Sequence, residues 1–357
     1  MKRARHEALR GAAVAFVAAL LASMSVAGQT PSPTARPRSA APGAPWTPPR
    51  TANGQPDLQG IWTFATVTPL ERPRELADKE TLTEEEAVAY AKRQVELQNK
   101  DNRSRAAALD VETAYNDFWW DSGTKVIGTR RTSLVIDPPD GRIPALTAEA
   151  QARIKAPRQR PVRERVVIGG PAEGPEDLGL SERCIIGFNS GPPILPSAYN
   201  NNLQIFQSPG HVAIHTEMVH EARIVPLDGR PHLPGNVRQW LGDSRGRWEG
   251  NTLVVETTNF TDKSAFSGNL IMRGGASEQM RLVERFTRVS PEMLLYEFTV
   301  TDPTTWTKPW TAQVPMTRSD EKMFEYACHE GNYGMRNLLA GARAQEKAAG
   351  QPPAQRR

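Results

Sequence analysis

The segment best suited to proton-transfer chemistry runs from His211 to Glu217, where titratable and apolar residues alternate. Successive side chains of a strand point to opposite faces, so His211, His215 and Glu217 are predicted to share one face. A neutral imidazole beside a carboxylate can act as a general acid or base near pH 7. We predict that His215 is a base, that Glu217 is its partner acid, and that both face an enclosed hollow. The alternative is a solvent-facing strand without a chemical role.

The next strand candidate carries Arg223, whose guanidinium can bind a substrate carboxylate or phosphate through a bidentate fork. His220 lies in the turn between the two strand candidates and is the fourth predicted catalytic residue. The predicted catalytic residues are His215, Glu217, His220 and Arg223.

The same histidines also allow a metal-dependent alternative. His215, Glu217 and either His220 or His232 could bind a divalent metal ion. The spacing differs from His-Glu-x-x-His, which places two ligands on one helix face. No nucleotide-binding glycine loop and no Gly-x-Ser-x-Gly motif occurs, so no nucleotide cofactor is predicted.

Ligand-binding candidates lie on both sides of this region. The run Tyr199 to Asn202 offers amide groups and a phenol, although a turn with left-handed asparagines would have the same composition. His329 and Glu330 follow the last strand candidate, where loop residues line a barrel mouth or tie down the chain end. The predicted ligand-binding residues are Tyr199, Asn201, Trp240, His329 and Glu330.

These residues would be positioned by a series of short strands between residues 203 and 328. Turn signals such as Pro209-Gly210, Asp228-Gly229 and Gly250-Asn251 separate the strands, and such short connections force antiparallel neighbours. The predicted fold is mostly β, an antiparallel meander that closes into a lipocalin-like barrel because a sheet of this size must hide its edges. The strand candidates are Leu203–Ser208, His211–Met218, Arg223–Leu227, Arg238–Asp243, Arg247–Glu249, Thr252–Phe260, Gln279–Val289, Met293–Thr301, Trp310–Arg318 and Met323–Cys328.

The chain before residue 201 divides into three predicted parts. Residues 1–27 have a basic start, an apolar stretch and a small-residue cleavage site, the layout of a secretory signal peptide. Residues 28–52 form a proline-rich linker. Residues 53–200 are a helical and loop-rich elaboration, with helices at Asp78–Lys100 and Ala148–Lys155 and a first strand that carries Gly60-Ile-Trp62. The barrel is predicted at 201–345 and a disordered tail at 346–357.

The net charge argues against nucleic acid as a partner. The formal charge of +4 falls to +1 without the signal, and without both tails 34 basic residues face 38 acidic ones. Nucleic-acid binding requires a clustered basic face, and none is evident. The signal's apolar stretch has 16 residues, fewer than a membrane-spanning helix needs, so no stable membrane insertion is predicted after cleavage.

Only two cysteines are present, Cys184 and Cys328. In an oxidising compartment they can pair and tie the segment before the sheet to its end; the alternative is two buried thiols. The absence of further cysteines excludes zinc-ribbon and thioredoxin-type sites.

Four motifs resemble a large family of uncharacterised exported bacterial proteins. They lie, in chain order, at Thr132–Pro144, His220–His232, Gly242–Gly250 and Tyr326–Tyr333. The resemblance implies a periplasmic or secreted setting and no established activity. The second half also resembles the calycin-type barrel, which implies a fold and no function.

Three functions fit these observations. The first is an exported β-barrel that binds a small, partly apolar molecule and acts on it by cofactor-free acid–base chemistry, as a hydrolase, lyase or isomerase. The second is a periplasmic ligand-binding protein without turnover. The third is a metal-dependent enzyme built on His215, Glu217, His220 and His232.

Overall fold

The computed structural model describes residues 46–99, 101, 120–155, 174–262 and 277–350. The predicted signal peptide and most of the linker lie outside these residues. Ten strands form one antiparallel sheet, which confirms the predicted mostly-β fold. They are β1 (Gly60–Thr63), β2 (Val135–Asp137), β3 (Asn202–Ser208), β4 (His211–Thr216), β5 (Ala222–Pro226), β6 (Asp243–Glu249), β7 (Thr252–Thr258), β8 (Arg281–Ser290), β9 (Met293–Thr301) and β10 (Trp310–Ser319).

The order of strands across the sheet is β5-β4-β3-β1-β10-β9-β8-β7-β6, and β2 pairs with β10 outside this path. Consecutive strands pair antiparallel from β3 to β5 and from β6 to β10, as predicted. Short turns join β3 to β4, β6 to β7 and β8 to β9, whereas the connection from β7 to β8 runs from residue 259 to residue 280. Strand β1 lies between β3 and β10 and joins the two series. Two strand predictions are wrong: most of Arg238–Asp243 and all of Met323–Cys328 lie outside the strands.

Three α-helices lie within the described residues. Helix α1 (Glu84–Gln98) begins at Thr83, which forms the predicted capping box with Glu86, and α2 (Ala148–Lys155) has the predicted bounds. Helix α3 (Tyr333–Ala348) was not predicted and extends into the segment assigned to a tail at 346–357, so that assignment is wrong for residues 346–348. None of the helices in the described ranges is both long and apolar enough to cross a bilayer.

Trp62 and Arg288 pack against each other inside the fold. The Trp62 side chain is fully buried, and its indole nitrogen donates to the carbonyl of Leu58 at 2.9 Å. The Arg288 guanidinium lies 5.5 Å from the Trp62 ring centroid and 5.9 Å from that of Trp46. The linker prediction for 28–52 is therefore wrong at its C-terminal end, because Trp46 belongs to this packed cluster.

The two edge strands, β5 and β6, approach each other without a hydrogen-bonded ladder in the described sheet. Their contact depends on Gly246 in β6. A Cβ atom at this position would lie 2.7 Å from Cγ1 of Val225 and 2.6 Å from Cδ2 of Leu227. Only glycine therefore lets the edges come this close, and side-chain packing replaces backbone pairing at the seam.

A buried ion pair inside the sheet reinforces this seam. The guanidinium of Arg223 on β5 forms a bidentate pair with the carboxylate of Glu284 on β8, with side-chain exposures of 9% and 0%. The Tyr296 hydroxyl donates to Glu284 Oε1 at 2.9 Å. Burial lowers the pKa of Arg223, but the charge of Glu284 and its hydrogen bonds outweigh burial and raise that pKa overall. Burial also raises the pKa of Tyr296 well above its ordinary value, so its hydroxyl keeps its proton.

The irregular segment 189–195 packs into the same interior. All seven residues are buried, and Ile194 and Leu195 belong to the main hydrophobic core. The backbone N–H of Ile194 donates to the Tyr296 hydroxyl at 3.0 Å. This segment therefore fills space among the inward-facing side chains of the sheet.

We predict strong coupling between Arg223 and Glu284. Removing one partner leaves a buried, uncompensated charge, so Arg223→Met or Glu284→Leu is expected to lower the free energy of unfolding by about 3–5 kcal/mol. The double variant should lose less than the sum of the two. Urea denaturation of all four proteins measures the coupling, and additive losses would contradict it.

Tyr296→Phe removes one hydrogen bond to Glu284 and is expected to lower the free energy of unfolding by about 1–3 kcal/mol.

Candidate functional site

The predicted catalytic histidine lies on the outer face of β4. Val212 and Ile214 are buried in the core, whereas His211 is exposed and His215 is partly exposed. Because faces alternate along a strand, the side that packs Val212 and Ile214 inward turns both histidines outward. The expected placement of His215 in an enclosed hollow is therefore wrong.

Glu217 does not remain on the face that His215 occupies. Strand β4 ends at Thr216, and the Glu217 side chain is only 4% exposed. Its Oε2 accepts from Nδ2 of Asn202 at 2.7 Å, and its Oε1 accepts from the backbone N–H of Phe324 at 3.0 Å. The carboxylate therefore ties the sheet to the segment after β10, and the predicted pairing with His215 is wrong.

Arg223 forms the predicted bidentate fork, but with Glu284 of the protein itself. Arg223 lies opposite Ile214 in the ladder, so it faces inward while His215 faces outward. The predicted catalytic residues are thus separated by the sheet, and Arg223 is already neutralised.

Two of the five predicted ligand-binding residues, Asn201 and Tyr199, form contacts within the protein itself. Asn201 is buried and forms four side-chain hydrogen bonds with the protein, so its predicted ligand role is wrong. Tyr199 packs edge-on against Phe188 at a centroid distance of 6.0 Å. Trp240 is partly exposed and Glu330 is exposed. Among the predicted ligand-binding residues, His329 lines a groove, together with Arg183 and Arg336.

The predicted metal site is not formed either. His215, Glu217 and His232 lie on different parts of the fold, and His220 is held by a backbone carbonyl. No group of three or more His, Cys, Asp or Glu side chains among the described residues is arranged to bind a metal ion.

The structure instead gathers functional groups around the disulfide. Cys184 and Cys328 are bonded, which confirms the predicted pairing. Met218 and Val219 pack with Cys184 in a second, smaller core. His220 Nδ1 lies 2.8 Å from the carbonyl oxygen of Tyr326, a position in which a ring N–H donates to that carbonyl.

The turn that carries His220 is strained. Val219 and His220 have φ values of 53° and 43°, and Cys184 has a φ of 55°. A β-branched residue such as valine rarely adopts this region, and each such residue costs about 1–3 kcal/mol. The disulfide region therefore holds three unfavourable backbone conformations in place, a pattern that occurs at functional sites.

Residues next to the two cysteines line a groove with a volume of about 620 Å³, which we call the cationic groove. Its polar lining includes Arg183, Arg336 and the imidazole of His329. Neither arginine side chain forms an ion pair within the described part of the chain. Its apolar lining comprises Ile185, Met335 and the ring of Tyr333.

Asn332 fixes the wall of this groove. Its Oδ1 accepts from the backbone N–H of Met335 at 3.2 Å and so caps helix α3. Its Nδ2 donates to the carbonyl of Glu182 at 2.9 Å and lies 3.4 Å from Sγ of Cys184. The amino terminus of α3, the positive end of its dipole, is thus held beside the two arginines.

A second groove, of about 460 Å³, lies at the disulfide itself, and we call it the acidic groove. Glu182, Glu325 and Tyr326 line it together with both cysteines. Asn332 contributes to both grooves. Neighbouring residues 182 and 183 thus supply opposite charges to two different grooves.

A separate histidine–carboxylate pair lies at the start of β6. His232 Nδ1 lies 2.8 Å from Oδ2 of buried Asp243, and His232 Nε2 lies 3.9 Å from Oε1 of Glu256 on β7. Asn259 holds the loop that carries His232 by donating to the carbonyls of Leu233, Pro234 and Val237. The pair joins two motifs that the sequence presented separately, His220–His232 and Gly242–Gly250.

Sequence reasoning missed Arg183, Arg336 and the His232–Asp243 pair. Arg183 directly precedes Cys184 in the sequence, so the predicted disulfide could have pointed to this arginine. Arg336 belongs to an unpredicted helix and offered no signal. His232 and Asp243 are eleven residues apart, and only the observed loop path brings them together.

We predict that Glu221→Gln raises the melting temperature at neutral pH. Burial raises the pKa of Glu221, with His220 and Arg223 acting in the opposite direction. A carboxyl with a raised folded-state pKa contributes stability below its unfolded pKa, and this contribution is lost as pH rises through the folded pKa. The gain at pH 7 should therefore shrink towards about pH 4, near the unfolded value. Thermal denaturation across this range tests it, with Glu330→Gln as an exposed control; a pH-independent gain would contradict it.

Comparison with known proteins adds little. No family model and no curated protein matches the chain. A match among solved structures is the crystal structure of a mutant of the fluorescent protein UnaG. The two chains share 14% sequence identity with a TM-score of 0.21, and the match covers 40% of this chain and 86% of that one. Similarity at this level carries no argument about fold or function.

Proposed function

We propose that this chain is an exported small-molecule-binding protein and that its ligand is a partly apolar anion held in the cationic groove. The observation that carries the proposal is the convergence of Arg183 and Arg336, without carboxylate partners among the described residues, on one groove with apolar walls. A guanidinium fork matches a carboxylate or phosphate, and Ile185 and Met335 offer apolar surface for the remainder of the ligand.

Export rests on two supporting features. The first 27 residues have the layout of a secretory signal, and the four motifs resemble an exported family. The Cys184–Cys328 disulfide is compatible with an oxidising compartment, where such bonds persist. Mass determination of the protein purified from the periplasm should give a chain that begins at residue 28.

We predict that the cationic groove binds 1-naphthoate and that both Arg183 and Arg336 are needed for full affinity. Charge-assisted hydrogen bonds contribute about 1.5–3 kcal/mol, so Arg183→Met or Arg336→Met should weaken binding roughly 10- to 100-fold. Titration calorimetry measures the dissociation constants. Neutral 2-naphthol should bind more weakly than naphthoate to the unmodified protein and equally to the variants.

The matched control is Arg93→Met, which removes an exposed arginine of helix α1 far along the chain from the groove. It should leave naphthoate binding unchanged. Equal losses in all three variants would mean that the anion responds to overall charge, and the assignment of the groove would fail.

A second candidate function is acid–base catalysis by His232. A carboxylate on Nδ1 fixes the tautomer and leaves Nε2 to accept a proton, the arrangement used by catalytic histidines. This observation moves the acid–base hypothesis from His215 to His232. The partly exposed ring can activate a water molecule against a neutral ester.

We predict that His232 accounts for hydrolysis of p-nitrophenyl acetate by this protein. General-base assistance contributes roughly 100-fold or more, so His232→Gln should abolish the activity above background and Asp243→Asn should reduce it strongly. Release of p-nitrophenolate is followed by absorbance. His211→Gln, at an exposed histidine of β4, is the control. An equal loss in that variant would contradict the assignment of the activity to His232.

A further inference from the structure

The disulfide between Cys184 and Cys328 is accessible and lies beside polar groups, as a bond that reacts with thiols requires. Both cysteines line the acidic groove, so the bond is reached from solvent on that side. The two sulfur atoms are not equivalent: Cys184 is 5% exposed, whereas Cys328 is partly exposed. An incoming thiolate therefore has access to the sulfur of Cys328, and Cys184 becomes the leaving group.

A hydrogen-bond donor lies next to the sulfur of Cys184, the predicted leaving group. Asn332 Nδ2 lies 3.4 Å from Sγ of Cys184, and Asn332 is the residue that caps helix α3. Hydrogen-bond donors and a helix amino terminus both stabilise a thiolate. The carbonyl oxygen of Cys328 lies 2.9 Å from the same sulfur and can accept a hydrogen bond once Cys184 is protonated.

We infer that Cys184–Cys328 is a thiol–disulfide exchange site whose substrate is a dithiol with positive charge near the attacking sulfur. The substrate thiolate attacks Sγ of Cys328, the Cys184–Cys328 bond breaks, and Cys184 leaves as a thiolate beside Asn332. The second substrate thiolate then attacks its own sulfur in the mixed disulfide and releases Cys328. The dithiol loses two electrons and becomes a disulfide, and the protein gains two thiols after protonation.

The charge preference follows from the acidic groove. Glu182 and Glu325 line the side from which the bond is reached, so a thiol that carries a cationic group is attracted and an anionic thiol is repelled. Tyr326 adds an aromatic face on which such a cation can rest. A cysteine-containing basic peptide has this chemistry. The inference is independent of the anion proposed for the cationic groove.

The test compares reduction of the native protein by cysteamine and by 2-mercaptoethanesulfonate, with alkylation and mass analysis of the freed thiols. The urea-unfolded protein gives the intrinsic rate ratio of the two thiols. The native ratio should favour cysteamine roughly tenfold more than the unfolded ratio does. Glu325→Gln should move it back towards the unfolded value. A native ratio equal to the unfolded one, or a native reduction rate that follows global unfolding, would overturn the inference.

Two substitutions of Asn332 test the leaving group. Both Ser and Asp preserve a helix cap, but Asn332→Ser removes the donor to Cys184 and Asn332→Asp also adds a repelling charge. Reduction of the native protein should slow modestly with Ser and roughly tenfold or more with Asp, because a poorer leaving thiolate departs more slowly. The melting temperatures of the oxidised proteins show whether unfolding contributes. Unchanged rates in both variants would contradict the role of Asn332.

Discussion

The buried pair between Arg223 and Glu284 is the interaction on which the architecture depends. Strand β5 is an edge of the sheet and has no ladder partner on its outer side in the described structure. The pair fastens it from inside to β8, which is the third strand from the opposite edge. Gly246 then permits the close contact of the two edges. Desolvating two charges is expensive, and the arrangement holds because Tyr296 and the bidentate geometry satisfy the carboxylate.

This closure decides where chemistry can take place. The carboxylate and guanidinium at the centre neutralise each other, and the segment 189–195 packs beside them through the Ile194 N–H. These interior groups therefore stabilise the fold. The cationic and acidic grooves lie instead on the outside, beside the disulfide. An antiparallel sheet of this size does not by itself imply an interior ligand, because its interior can be filled by its own side chains.

The sequence was informative where the signal is local. Alternation and turn residues predicted most of the strands, and Thr83 with Glu86 predicted the start of helix α1. Alternation also showed that His211 and His215 share a face, but it did not identify that face as the outer one. The burial of Val212 and Ile214 does so, and the apolar character of these two residues was the better guide. The site was less predictable because its groups come from distant parts of the chain.

The disulfide explains why distant groups converge. It joins the 180–186 segment to the 326–332 segment, and the hydrogen bond from His220 to Tyr326 adds the turn after β4. Each of these segments would be free to relax its left-handed residues if the others were absent. Because the segments are attached to one another, Cys184, Val219 and His220 are held in their left-handed conformations. Such unfavourable conformations persist only where the surrounding structure fixes them. Breaking the bond would loosen the attachments that shape both grooves, so ligand binding and the redox state of this bond are expected to be linked.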